Sequence, residues 1–357
     1  MRRTNVLIAG GGPAGCAAAI VLARAGARPV LVDRGKGPRD VVCGGFLGWD
    51  ALAHLDLLGI DHAALGARRI TRLRLVAGAR TVEADLPYAA AGLSRRALDT
   101  ALLAAAGDAG AQVRSGQLIR EIRDQSLRLD DGAELEGDAL FLATGKHEVR
   151  GAARPVAERA LSVGLRAALP PDAVRDRALD SVIELHLLGD GYAGLLLQED
   201  GTTNLCLSIE TARLAEAGGK AGLLAALTTE APLLAERIGA FDGPWDAVAG
   251  VPYGWRASAG SDGVWRVGDQ AAVIASLAGD GVAIALASGS GAARAFAMGE
   301  DAATWQRRFA ARASRPITTA EMLRRAAQDR RGQRLLMGLA HRVPGLARLA
   351  ARLTRIG

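Results

Sequence analysis

The run Gly10-Gly11-Gly12-Pro13-Ala14-Gly15 is the feature of this chain with the clearest chemical use. A short apolar segment, Asn5 to Ala9, precedes it, and an alanine-rich segment of helical character follows. In that setting Gly10 permits a tight turn, Gly12 lets main chain approach a pyrophosphate, and Gly15 lets helix and strand pack closely. Pro13 suits the first helical position, and with Ala14 it opens a helix whose free N–H groups and positive dipole end attract phosphate. Asp33, with Arg34 beside it, ends the next apolar run, 21 residues after Gly12. A carboxylate there accepts hydrogen bonds from the hydroxyls of an adenosine ribose. Together these predict a dinucleotide site, but they do not separate NAD from FAD.

A second motif lies far downstream. Val264 to Val267 reads as a strand ending in Gly268-Asp269, and Gly279-Asp280-Gly281-Val282 opens a small-residue helix. This resembles the flavin-contacting Gly-Asp motif of the para-hydroxybenzoate hydroxylase-like flavoproteins, and among them the geranylgeranyl reductase-like branch. The resemblance implies FAD. It puts Asp269 on the ribityl chain, and the helix start at Gly279, Gly281 and Val282 against the flavin pyrimidine. A helix dipole suits the negative charge that develops there on reduction. Other pieces follow in the family's order. Arg95 in Ser94-Arg95-Arg96-Ala97-Leu98-Asp99 would reach toward FAD, or stay solvated. Leu118 and Ile119 fit the strand that pairs with adenine, and Thr144-Gly145 ends the strand closing the site. Cys43-Gly44-Gly45-Phe46-Leu47 resembles a loop whose glycines let main chain lie on the flavin ring. Cys43 is then a redox or positioning thiol or, as its type favours, a small buried apolar residue. The likeness spans roughly residues 4–300.

The chain also departs from that family. Gly191 to Leu197 keeps Tyr192 of the reductases' Gly-Tyr-x-Trp-x-Phe-Pro stretch but has Gly194, Leu196 and Leu197 for the Trp, Phe and Pro, which widens the pocket. Ala275-Ser276 stands where the hydroxylases carry a proline, and the paired tryptophans and lysine of the halogenases are not apparent. The candidate catalytic residues are Cys43, Tyr192 and His147. His147 titrates near neutrality and could move a proton, or is simply a packed loop histidine. Glu184 and His186 share one strand face, toward substrate or solvent. Tyr253 and Trp255 are candidate pocket residues. The resemblance implies an FAD-dependent oxidoreductase, with a monooxygenase of an apolar, aromatic or polyketide-like small molecule as the first expectation. A flavin-dependent reductase of carbon–carbon double bonds is the alternative, and a flavin-binding protein without turnover the third. No separate NAD(P)H domain is visible, so NAD(P)H is expected as a transient electron donor.

These residues need a scaffold. The strand–helix–strand opening predicts an α/β chain: a Rossmann-like FAD-binding domain, an interleaved antiparallel β-sheet substrate domain and C-terminal helices. The expected divisions are 1–68, 92–157 and 257–300 for the FAD domain, 69–91 and 158–256 for the substrate domain, and 301–357 for a basic helical region. Helices are expected over 50–66, 221–237 and 281–298, and everything after Asp301 is expected to be helical, broken by Pro316 and by Val343-Pro344-Gly345. Half of the 357 residues are apolar and 23% are charged, which excludes disorder. Three cysteines (Cys16, Cys43, Cys206) make no disulfide framework, and five scattered histidines give no metal-ligand spacing. No apolar run is long enough to span a membrane, so a cytoplasmic protein is expected. The net charge of +6 is uneven: from Thr304 to Gly357 thirteen arginines face only Glu321 and Asp329. There Leu335, Leu336, Leu339, Val343, Leu346, Leu349, Leu353 and Ile356 recur at helical spacing among arginines. Packing of that stripe on the FAD domain is the first expectation. A membrane surface or an acidic carrier protein is the other, and nucleic acid is not expected.

Overall fold

The structure is a computed structural model that describes residues 6–154 and 162–356. The expected domain division at 157–158 lies outside the described residues. A five-stranded parallel sheet runs in the order Val264–Arg266, Ala139–Leu142, Val6–Ala9, Val30–Asp33, Gln112–Ser115. Val6–Ala9 and Ala139–Leu142 are buried throughout, which is why both read as unbroken apolar runs. The helices Pro13–Arg24 and Gly281–Ala297 pack on this sheet and on each other. They touch so closely that a Cβ on Gly289 would lie 2.1 Å from the Ala14 carbonyl oxygen. The small-residue composition of both helices is therefore a packing requirement.

The second sheet has eight strands in the order Asp246–Val251, Ser162–Leu169, Thr203–Glu210, Gly191–Leu197, Val182–Leu188, Arg68–Ala77, Arg80–Gly92, Phe46–Leu47. It is mixed rather than wholly antiparallel, because Val182–Leu188 pairs in parallel with Arg68–Ala77. These two strands are separated by much of the nucleotide domain, so no tight turn forces them to run in opposite directions.

Three helix expectations change. The helix read over 50–66 is Trp49–Leu58, ended by Gly59 in the left-handed conformation at φ +80°. The helix read over 221–237 divides into Lys220–Glu230 and Pro232–Ile238, with Pro232 at the first position of the second. Pro316 does not end its helix, which runs Ala302–Gln328 with Phe309, Ala313, Pro316, Ile317 and Ala320 all buried. Burial on both sides of the proline outweighs the hydrogen bond it removes. Helices Arg330–Arg342 and Pro344–Leu353 follow, the first capped by Asp329, which accepts from the Arg331 and Gly332 N–H groups at 2.9 Å. Ile356 then returns to the core of the nucleotide domain. Among the described residues no helix is long and apolar enough to cross a membrane.

Candidate active site

One cavity of about 1040 Å³ runs between the two sheets and collects nearly every residue singled out above. Gly10, Gly12, Pro13, Ala14, Asp33 and Arg34 line one end. Gly10 has φ +113°, and a Cβ there would meet the Ala143 carbonyl oxygen at 2.4 Å. Gly15 does not line the cavity. It supports the turn from behind, where a Cβ would lie 1.9 Å from the Gly10 carbonyl oxygen. Both Asp33 carboxylate oxygens also brace the loop, accepting from the Gly11 and Gly35 N–H groups at 2.7 Å. Leu118 and Ile119 line the same end. Leu118 is already partnered, its N–H donating to Asp130 Oδ1 (3.2 Å) and its carbonyl accepting from the Asp130 N–H (2.9 Å). Gln117 beside them was not foreseen. Its Oε1 is buried without a hydrogen-bond partner, in the wall of the cavity.

The middle of the cavity is walled by Cys43, Gly44 and Gly45 on one side and by Thr144, Gly145, Gly268, Asp269, Gly279, Gly281 and Val282 on the other. Asn204 holds the first loop from below, donating from Nδ2 to the Cys43 (3.0 Å) and Gly44 (2.8 Å) carbonyls. Arg95 is inward, not solvated. It forms a two-pronged ion pair with Asp99 (2.9 and 2.8 Å), and its Nη2 lies 3.7 Å from where a Gly12 Cβ would be. Burial opposes its charge, but Asp99 and Cys43 outweigh that and keep it fully cationic. Asp269 pairs with Lys146 Nζ at 3.5 Å, and Asp269 raises the lysine pKa. Lys146 is a second site residue the sequence reading passed over, though it directly follows Thr144-Gly145. His147 turns away from this group. Its Nε2 lies 2.5 Å from Arg34 Nη2, and burial, with Arg34 next, lowers its pKa. It is therefore a neutral ring at the dinucleotide end.

Beyond the middle, Tyr192 and Tyr253 face the cavity with Cys206, Ser208 and Ser276. Tyr253 Oη lies 3.1 Å from Ser208 Oγ and 2.6 Å from Ser276 Oγ. Burial holds both phenols protonated, pushing each pKa up. Glu184 and His186 are elsewhere. They point to the opposite face of their strand and are fully buried, facing neither substrate nor solvent. Glu184 accepts from Arg74 Nη1 (2.7 Å) and Arg237 Nε (3.2 Å) and lies 2.9 Å from His186 Nε2. Burial would raise its pKa, but these three partners hold it down to about 2. The pair is a structural tie between the sheet and the helix Pro232–Ile238.

A dinucleotide fits this arrangement. The glycine turn leaves no room for a side chain, the N-terminus of Pro13–Arg24 opens on the cavity, and Gln117 offers an unused acceptor. Residues 3–149 match the FAD binding domain family. Those residues therefore form an FAD binding domain. This flavoprotein is similar to menaquinone reductase of Mycolicibacterium smegmatis, 32% identical over 160 residues, which cover 42% of this chain and 39% of that protein. The chain thus aligns with well under half the length of the curated relatives it matches. A flavoprotein/dehydrogenase from Cytophaga hutchinsonii has the same fold at TM-score 0.80 and 18% identity, covering 98% of this chain and 92% of that one. The flavin-dependent brominase Bmp2 superposes at TM-score 0.79 and 16% identity, over 98% and 93% of the two chains. The structural likenesses establish the fold.

Proposed function

We propose that this FAD-dependent oxidoreductase reduces a carbon–carbon double bond in a molecule with a polar head and an apolar chain. The observation that carries this reading is the chemical gradient along the cavity. Tyr192, Tyr253, Ser208, Ser276 and Lys146 gather polar groups near the glycines, and Leu73, Leu75, Leu86 and Ile183 give way to Leu336 and Leu353 beyond them. Such a wall orients an amphiphile by its head and excludes water along its chain. Similarity to a menaquinone reductase, at nearly twice the identity of the solved structures, supports reduction over oxygen insertion.

FAD supplies the two-electron chemistry when bound. Gly10, Gly12, Pro13, Ala14, Asp33, Arg95, Gly268 and Asp269 would hold it, with Cys43 to Gly45 and Gly279 to Val282 enclosing its redox-active end. The net change adds two electrons and two protons across the double bond. The electrons come from an external reductant, for which we propose NAD(P)H docking transiently. Tyr192 and Tyr253 are protonated at neutral pH and stand in the substrate region, so each can hold a head group or release a proton. Cys43 is proposed as a positioning residue at the ring, since it faces the guanidinium of Arg95.

Oxygen insertion is the second reading, favoured by one feature. Lys146 lies close enough to Tyr253 to influence it electrostatically, and the same ammonium could hold an aromatic hydroxyl as its phenolate. One experiment separates the two. The FAD-loaded protein is given NADPH with a short-chain menaquinone or with a simple phenol, once without oxygen and once under ¹⁸O₂. A product two hydrogens heavier, formed without oxygen, is expected. Incorporation of ¹⁸O overturns the reductase reading in favour of a monooxygenase.

A further inference from the structure

We propose that the helices Arg330–Arg342 and Pro344–Leu353 form a docking surface for an anionic lipid bilayer, and that the cavity opens onto that surface. Both helices are amphipathic, yet their apolar residues are not all turned inward. Leu335 is 61% exposed, Leu339 40%, Val343 48%, Leu346 36% and Leu349 48%. Three of these, Leu339, Leu346 and Leu349, also line the cavity. Side chains that face both the solvent and the cavity mark its mouth, and the mouth is hydrocarbon.

The charges that these two helices carry have one sign. From Arg330 to Ile356 there are seven arginines and no aspartate or glutamate. Arg331, Arg334, Arg342, Arg348 and Arg352 are exposed beside the leucines. Arg348 meets Asp85 at 3.1 Å on the surface, and Arg352 lies over the exposed ring of Tyr88, so these two cations tie the last helix to the strand Arg80–Gly92. The rest of the chain has 37 basic and 38 acidic residues, so the net positive charge sits on this face and an anionic surface attracts it there. The exposed apolar side chains of these two helices are aliphatic, as suits hydrocarbon between lipid head groups. An apolar molecule would then pass from bilayer to cavity without crossing water.

The test uses the full FAD-loaded chain in sedimentation with phosphatidylcholine vesicles, with and without phosphatidylglycerol. Binding only to the anionic vesicles, weakened by high salt, is expected. Leu335 and Val343 are outside the cavity lining, so Leu335→Ser with Val343→Ser should lower the partition about tenfold with bound FAD retained. Arg331→Gln with Arg334→Gln should lower it about thirtyfold. Absence of binding to anionic vesicles, or binding that neither pair changes, overturns the proposal, and the former would hand the patch to an acidic protein. The readout is binding alone, so it stands apart from the reaction proposed above.

Discussion

The two ends of the cavity are built from different material. At the dinucleotide end the wall is main chain, with glycines set where a Cβ would overlap a carbonyl oxygen. At the far end the wall is the leucine side chains of the last two helices, several of them half in water. A main-chain wall fixes one ligand and tolerates no added atom. A wall of partly exposed leucines adapts its shape to what lies against it. Under the proposed function the comparison teaches that cofactor and substrate are selected by different means: the first by shape set in the backbone, the second by hydrophobicity and length.

The largest expected effect tests the rigid end. Gly15→Val puts a side chain into a space 1.9 Å from the Gly10 carbonyl oxygen. Loop and helix must separate, and bound flavin should fall below a tenth of the native protein's, read from the flavin-to-protein absorbance ratio. Retention of full flavin would mean that the turn is not the pyrophosphate site.

Next comes Arg355, where the two ends meet. It is buried from the C-terminal segment into the nucleotide domain, in an ion pair with Asp280 and with its guanidinium 4.5 Å from the Trp49 ring centroid. Asp280 is fully buried and precedes the Gly281–Ala297 helix. Arg355→Met leaves that carboxylate uncompensated, which costs about 3–5 kcal/mol. Chemical denaturation should show the loss, and flavin should dissociate more readily because the loop carrying Gly279 and Gly281 is released. If stability falls but flavin affinity is unchanged, Arg355 braces the fold alone.

A third effect comes from a charge remote from the cavity. Glu184 has a pKa of about 2 in the folded protein against 4.5 for the free group. A depressed carboxyl pKa adds stability that is complete above the unfolded value. That stability, about 3 kcal/mol, is lost as pH falls from 4.5 toward 2. Unfolding followed across that interval should be steeper in the native protein than in Glu184→Gln. Parallel curves would show that Arg74 and Arg237 do not hold this carboxylate as drawn.

The same contrast explains what could be read from the sequence. The places of the glycine turn, Asp33 and the Gly268-Asp269 strand end were legible because they lie in main-chain geometry, which local residue types dictate. Lys146 and Gln117 were not, because what matters is where an ordinary side chain points after distant strands meet. Glu184 and His186 were placed correctly on one face, but alternation cannot say which face meets the cavity. That depends on the parallel pairing of Val182–Leu188 with Arg68–Ala77, a contact between segments about a hundred residues apart. The apolar stripe of the tail was visible. Its division between cavity wall and exposed surface was not, since both demand the same leucines.

The smallest effect should have the opposite sign, and it sharpens the comparison most. Gly338 lies inside the Arg330–Arg342 helix, and a Cβ there would meet nothing within 4 Å. Its glycine serves no turn and no close approach. It only adds freedom to the unfolded chain, so Gly338→Ala should stabilise the helix by about 0.5–1 kcal/mol. In a protein of this size that raises the melting temperature by about 1–3 °C, with flavin content unchanged. A lowered melting temperature would mean that the two tail helices press on the molecule more tightly than their exposure suggests, and the far wall would then be as rigid as the glycine turn. A glycine that is indispensable at one end of a cavity and a small liability at the other is what a fixed cofactor site joined to an adaptable substrate mouth requires.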